Sequence, residues 1–213
     1  SMPEMVVSLE STLSGHPDIA LGNVIGSNIS NILLVLGTTA LIFPIAMDRD
    51  MASRDGILML MVSLLLLLFC TGGWLSRIEA LILLSIAIFH GAYSFYTARN
   101  DPSAELAKEM EEETDIRMPM WKSLTYIGAG LGLLVFGGNI LIAGCVDLAR
   151  MAGLSEAVIG LTIVAIGTSL PELMASVVAA YRKHPDICLG NIVGSNMMNI
   201  VLILGVAPII TPI

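Results

Sequence analysis

Two glutamates carry the most demanding chemistry in this sequence. Glu172 lies in Ala165-Ile166-Gly167-Thr168-Ser169-Leu170-Pro171-Glu172, and it is the single formal charge between Ala157 and Tyr181. An ionised carboxylate in the middle of such an apolar helix costs about 2.5 kcal/mol or more in a bilayer, so it needs a cation or a proton. No Lys or Arg falls within an apolar run to neutralise it. Pro171 has no N–H, which predicts a kink that frees the Gly167 carbonyl. Thr168 and Ser169 precede Glu172 by four and three residues, so a helix puts both hydroxyls on the carboxylate's face. Glu4, in Ser1-Met2-Pro3-Glu4, has the same setting.

A second element supplies neutral oxygens. Asn23, Ser27 and Asn31 recur every four residues along an otherwise apolar helix, and Asn191, Ser195 and Asn199 do the same. Two carboxylates with hydroxyls, amide oxygens and a freed carbonyl suit hard cations such as Ca2+ or Na+. An isolated intramembrane Asn or Ser is more often glue between helices, and Gly22, Gly26, Gly190 and Gly194 serve plain close packing equally well. A lone membrane Glu also serves as a proton relay. Duplication of the whole set in register favours an ion site.

The duplication is read by sliding the chain on itself. Residues 1–45 align with 169–213 at a constant offset of 168, without a gap and with 22 of 45 pairs identical. His16-Pro17-Asp18-Ile19 matches His184-Pro185-Asp186-Ile187, and Gly26-Ser27-Asn28 matches Gly194-Ser195-Asn196. Apolar bias accounts for Leu over Leu, but not for registered Asn, Asp, His, Pro and Glu.

The elements that must hold these residues are membrane spans. Hydrophobic residues make up 55% of the 213 and charged residues 13%, about half the charged share of a soluble domain. Six long apolar runs, at 19–47, 57–75, 80–98, 123–146, 157–181 and 187–213, meet the roughly 20 residues a bilayer core requires. Ser1–Leu13 is too short for that, and reads as the second half of a helix in a chain that is a fragment. It carries no initiator Met, basic n-region or cleavage site, so it is no signal peptide. Of ten Lys and Arg, eight fall in the three connections on one side: Arg49, Arg54, Arg99, Lys108, Arg117, Lys122, Arg182 and Lys183. That side is expected to be cytoplasmic. Five spans separate the 15–20 connection from the 182–189 connection, so the two copies face opposite ways. The expected architecture is an all-α, polytopic transmembrane helix bundle with two inverted-topology repeats, 1–98 and 121–213. Such repeats commonly hold a transporter's site where they meet.

The net charge of −8 is local. Asp101, Glu105, Glu109, Glu111, Glu112, Glu113 and Asp115 gather in one linker, 99–120, which reads as a solvated cytoplasmic tether. Cys70, Cys145 and Cys188 are odd in number, without a zinc-ligand spacing, and read as buried thiols. His16 and His184 read as turn residues rather than ligands. With no HExxH, Ser/His pair on neighbouring spans or phosphate-binding loop, an enzyme is the weakest reading.

At Gly167–Glu172, Gly190–Asn196, Ser1–Glu4 and Gly22–Asn28 the chain resembles the sodium/calcium exchanger family of the cation/calcium antiporters, in its short prokaryotic form. The resemblance runs through the whole chain and implies ten helices in two inverted sets of five. The chain would run from the middle of the second helix to the eighth, with 121–146 corresponding to one of two sliding gate helices. Ions would be held by Ser1, Glu4, Ser27 and Asn31 from one repeat. The Ala165 carbonyl, Thr168, Ser169, Glu172, Ser195 and Asn199 would serve from the other. Some relatives carry Asp where this chain has Asn31 or Asn199. The resemblance implies Na+/Ca2+ exchange by alternating access in a prokaryotic inner membrane, with Ca2+ and Na+ as substrates, the lipid bilayer as partner, no nucleic acid and no cofactor. A H+/Ca2+ or Na+/H+ exchanger and a passive cation channel are the alternatives.

Overall fold

The structure is a computed structural model that describes residues 1–44, 49–99 and 119–213. Most of the acidic linker, including all seven of its carboxylates, lies outside the described residues. Eight helices follow in order: α1 (Met2–Leu13), α2 (Pro17–Ile42), α3 (Arg49–Cys70), α4 (Arg77–Arg99), α5 (Met120–Met151), α6 (156–168), α7 (Leu170–Tyr181) and α8 (185–210). Each of the six apolar runs carries a helix. By length and composition α2, 77–97 of α4 and 187–210 of α8 are each able to cross a membrane, and α6 with α7 makes a fourth crossing if the bent pair is one span. In α3 the apolar part is shorter, Asp55–Cys70. Its run overshoots the helix, because the chain turns at Thr71–Gly73 with Gly73 at φ +78°.

Proline and glycine set the helix ends. Pro17 and Pro185 open α2 and α8 just after His16 and His184, which hold matching N-cap positions. In the first turn of a helix a missing N–H costs nothing. The turns before them match as well: Gly15 has φ +80° and its counterpart Lys183 has φ 63°. Lys at a left-handed position is uncommon, so the turn geometry outlasts its sequence signal.

Polarity is arranged for lipid. Leu64, Leu67, Leu68, Leu81, Ile88 and Phe89 are exposed, whereas Glu4, Ser8, Asn23, Ser27, Asn31, Thr168, Glu172 and Asn199 are buried. Aromatics collect near helix ends, with Tyr93, Phe95 and Tyr96 late in α4 and Trp121 and Tyr126 early in α5, as at a membrane–water boundary. The main apolar core joins Val24 of α2, Val62 and Leu66 of α3, Leu83 and Ala87 of α4, and Val201 and Leu204 of α8. Cys188 is buried, and its thiol donates to the Ser176 carbonyl at 3.2 Å.

Helices α2 and α6 cross in close backbone contact. A Cβ on Gly26 would overlap the Leu161 carbonyl and lie 2.6 Å from Ala165 Cβ, and one on Gly160 would lie 2.7 Å from the Ile19 oxygen. Only a residue without a side chain allows the backbones this near. The crossing brings Ser27 against Thr168.

Candidate functional site

The break between α6 and α7 falls at Ser169, whose φ of −82° and ψ of −2° end one helix and begin the next. The two axes differ by 45°. Pro171 lies within the first two positions of α7, where its missing N–H is harmless. The expected kink is therefore present, but the carbonyl that meets the side-chain hydroxyls is Ala165's. It accepts from Ser169 N at 3.2 Å, Thr168 Oγ1 at 3.2 Å and Ser27 Oγ at 3.4 Å.

Around this break the two copies interlock. Ser27 Oγ and Thr168 Oγ1 are 3.1 Å apart, and Thr168 Oγ1 donates to Asn23 Oδ1 at 3.1 Å. Ser1 Oγ donates to the Ser195 carbonyl at 3.2 Å. Ser1 N lies 2.6 Å from Glu172 Oε1 and 3.9 Å from Glu4 Oε2, so the two carboxylates come to one place. Glu4 is wholly buried and Glu172 is 5% exposed.

The repeated architecture appears again in the hydrogen bonds. Asn23 Nδ2 donates to the Glu4 carbonyl and Ser8 Oγ, at 3.2 and 2.9 Å. Asn191 Nδ2 donates to the Glu172 carbonyl and Ser176 Oγ, at 3.2 and 3.0 Å. Each contact is its counterpart displaced by 168 residues. Each Glu-bearing helix is thus tied to the helix that follows it.

Among the described residues, the buried side-chain atoms without a hydrogen-bond partner are all oxygens: both carboxylate oxygens of Glu4, Glu172 Oε2, Asn31 Oδ1, Asn199 Oδ1, Ser169 Oγ and Ser30 Oγ. A buried polar group without a partner costs roughly 1–3 kcal/mol, and oxygens that lack donors are what a hard cation satisfies. Five of the six residues involved are among the ten expected from the sequence. The other five, Ser1, Ser27, Ala165, Thr168 and Ser195, join through the contacts above.

Sequence reading sets Asn23 in the polar stripe but leaves it out of the ligand set, although Asn23 accepts from the Thr168 hydroxyl and holds the Glu4 backbone. It also passed over Ser8 and Ser176, which are identical at the repeat offset, the signal that would have found them. Asn31 and Asn199 each begin a π-helical turn, Asn31–Leu36 and Asn199–Ile203. Such turns widen the helix and occur often at functional sites. A cavity of about 340 Å³ opens beside the site, lined in part by Ser1, Asn191, Gly194, Ser195 and Met198. Among the described residues no three His, Cys, Asp or Glu gather into a metal cluster. The formal negative charge of the site residues comes from two glutamates alone.

Comparison with known proteins shows the family and the fold. The family model described as sodium/calcium exchanger protein matches residues 1–96 and 122–213. A putative antiporter, CaxA, of Alkalimonas amylolytica is 41% identical over 213 residues, covering 100% of this chain and 67% of its own. The inner membrane protein YrbG of Escherichia coli (strain K12) is 35% identical, covering 100% and 66%. A structure of the sodium-calcium exchanger NCX_Mj, soaked with 100 mM Na+ and 10 mM Sr2+, superposes with a TM-score of 0.76 at 33% identity, covering 100% of this chain and 67% of that one. The chain thus spans about two thirds of the length of these relatives.

Proposed function

The chain belongs to the sodium/calcium exchanger protein family, and on that premise we propose that it exchanges Na+ for Ca2+ across a membrane by alternating access. The family's members are transporters rather than enzymes, ions are their cargo, and the chain is an integral membrane protein. The observation that carries the proposal is the set of buried oxygens without donors gathered on Glu4, Glu172, Asn31, Asn199 and Ser169. Two carboxylates there balance one Ca2+ or draw Na+ ions in its place, so the two cations compete for one site and are carried in turn. The ligands are Ser1, Glu4, Ser27 and Asn31 with the Ala165 carbonyl, Thr168, Ser169, Glu172, Ser195 and Asn199. The two repeats, 1–98 and 121–213, face opposite ways, the linker 99–120 is cytoplasmic, and the membrane is a prokaryotic inner membrane. The break at Ser169 lets α6 and α7 reorient as cargo enters.

Radiolabelled Ca2+ uptake into proteoliposomes of the full-length protein tests this. Uptake is expected when Na+ is loaded inside and absent when it is replaced by choline. Uptake driven by a pH gradient without Na+ would instead mark a proton-coupled exchanger, and uptake without any counter-ion a channel.

Thr168→Val keeps the side chain's shape while removing the hydroxyl shared by Ser27, Asn23 and Ala165. Losing one neutral ligand and leaving buried partners unpaired costs about 1–3 kcal/mol. The Ca2+ concentration for half-maximal uptake is expected to rise roughly tenfold, which a concentration series measures.

A further inference from the structure

Asn28 and Asn196 are not among the proposed ligands, yet they sit between the two that are hardest to orient. The side-chain amide of Asn is nearly symmetric in shape and opposite in chemistry at its two ends. Turned one way, Asn31 or Asn199 offers a cation an oxygen. Turned the other way, it offers two N–H groups that repel it. Packing scarcely distinguishes the two, so something polar must.

The hydrogen bonds supply it in sequence. A backbone carbonyl only accepts, so it fixes which end of an amide meets it. The Asn196 carbonyl accepts from Asn28 Nδ2 at 3.1 Å, and the Asn28 carbonyl accepts from Asn196 Nδ2 at 3.4 Å. That turns Asn28 Oδ1 and Asn196 Oδ1 outward from the pair as acceptors. Asn196 Oδ1 then takes Asn31 Nδ2 at 3.0 Å, and Asn28 Oδ1 takes Asn199 Nδ2 at 3.0 Å. The oxygens left over, Asn31 Oδ1 and Asn199 Oδ1, are buried and without partners.

We propose that Asn28 and Asn196 are positioning residues that lock the amides of Asn199 and Asn31 with their oxygens toward the cation. The lock crosses between the repeats, so each copy orients the other's ligand. This inference rests on the cation site proposed above and adds to it the device that keeps two of its neutral ligands attractive.

Without Asn196, Asn31 Nδ2 loses its acceptor and the amide is free to turn. Asn196→Ala in the full-length protein is expected to raise the half-saturating Ca2+ concentration about tenfold, with the maximal rate much less affected. The decisive comparison is the same substitution made in an Asn31→Ala background. Acting through Asn31, it should then shift Ca2+ affinity no further, a coupling as large as the single effect. Where uptake is too slow, equilibrium binding of radiolabelled Ca2+ in detergent gives the same quantity. Should Asn196→Ala not fold, Asn28→Ala with and without Asn199→Ala is the reciprocal test.

Glue between helices would behave differently, because Asn196→Ala would lower thermal stability and act equally in both backgrounds. Equal shifts in both backgrounds, or no shift in the otherwise unaltered protein, would overturn the positioning role. Glu172→Gln is measured alongside to separate the two readings. If it leaves Ca2+ binding intact, the cation site itself is wrong. If it removes binding while the Asn variants are additive, only the lock is wrong.

Discussion

Glu172→Gln is expected to reduce Na+-dependent Ca2+ uptake to the level of empty liposomes, and Glu4→Gln to do the same. Gln keeps the shape of each side chain and removes its charge, so a folding defect is not the expected cause. The two carboxylates are both buried, and both approach the same backbone nitrogen, Ser1 N, at 2.6 and 3.9 Å. With one neutralised, a desolvated divalent cation would face a single negative charge. Removing one partner from a buried ionic set costs about 3–5 kcal/mol, or roughly two to three and a half decades in affinity. Uptake and equilibrium binding should fall together. Retention of full uptake by either variant would remove that glutamate from the ligand set. Equal loss in both is the signature of a shared ion, since independent sites would leave part of the flux.

Gly26→Ala is the second large effect expected, and it reaches function through packing. The new methyl would run into the Leu161 carbonyl and lie 2.6 Å from Ala165 Cβ and 2.8 Å from the Leu161 carbonyl carbon. Two of these three neighbours are backbone atoms, so no rotamer change relieves the contact. Overpacking of this kind costs about 1–3 kcal/mol. Relief requires α2 to move off α6, which separates Ser27 from Thr168, now 3.1 Å apart. A lower unfolding temperature in detergent and strongly reduced uptake are therefore expected from one added methyl. Gly91→Ala provides the comparison, because a Cβ at exposed Gly91 of α4 meets nothing within 4 Å. That variant should unfold and transport like the unaltered protein, while a Gly26→Ala protein that did so would place the crossing elsewhere.

Much of this was legible in the sequence because membranes make polarity informative. Glu172 and Glu4 stand out in apolar surroundings, and the offset of 168 predicts that whatever holds one holds the other. The helices follow the apolar runs for the same reason. Other features leave no such trace. The π-helical turns at Asn31 and Asn199 depend on how the next helix packs, and Asn-Ile-Leu and Asn-Ile-Val carry no sign of them. Asn28 and Asn196 are visible as repeated residues, but which end of an amide faces which neighbour is decided across the fold. The carbonyl brought among the hydroxyls also differs from the one Pro171 alone suggests. Helix α7 begins at Leu170, so the proline sits in its first turn and the chain breaks before it. The Lys183 turn, lastly, would have been marked by a glycine had it copied Gly15.

The bonds between Asn28 and Asn196 use the same atoms in both directions, donor to carbonyl and carbonyl to donor. A contact of this kind is self-complementary, as in a two-fold dimer. It needs no difference between the partners, so a single short gene product inserted into the membrane in both orientations would already make it. Fusion of two such copies would then preserve the meeting surface while freeing each half to change. The pairs Ser30 and Met198, and Gly15 and Lys183, are places where the halves have since parted. The asparagines at the centre, where each copy depends on the other, have stayed the same.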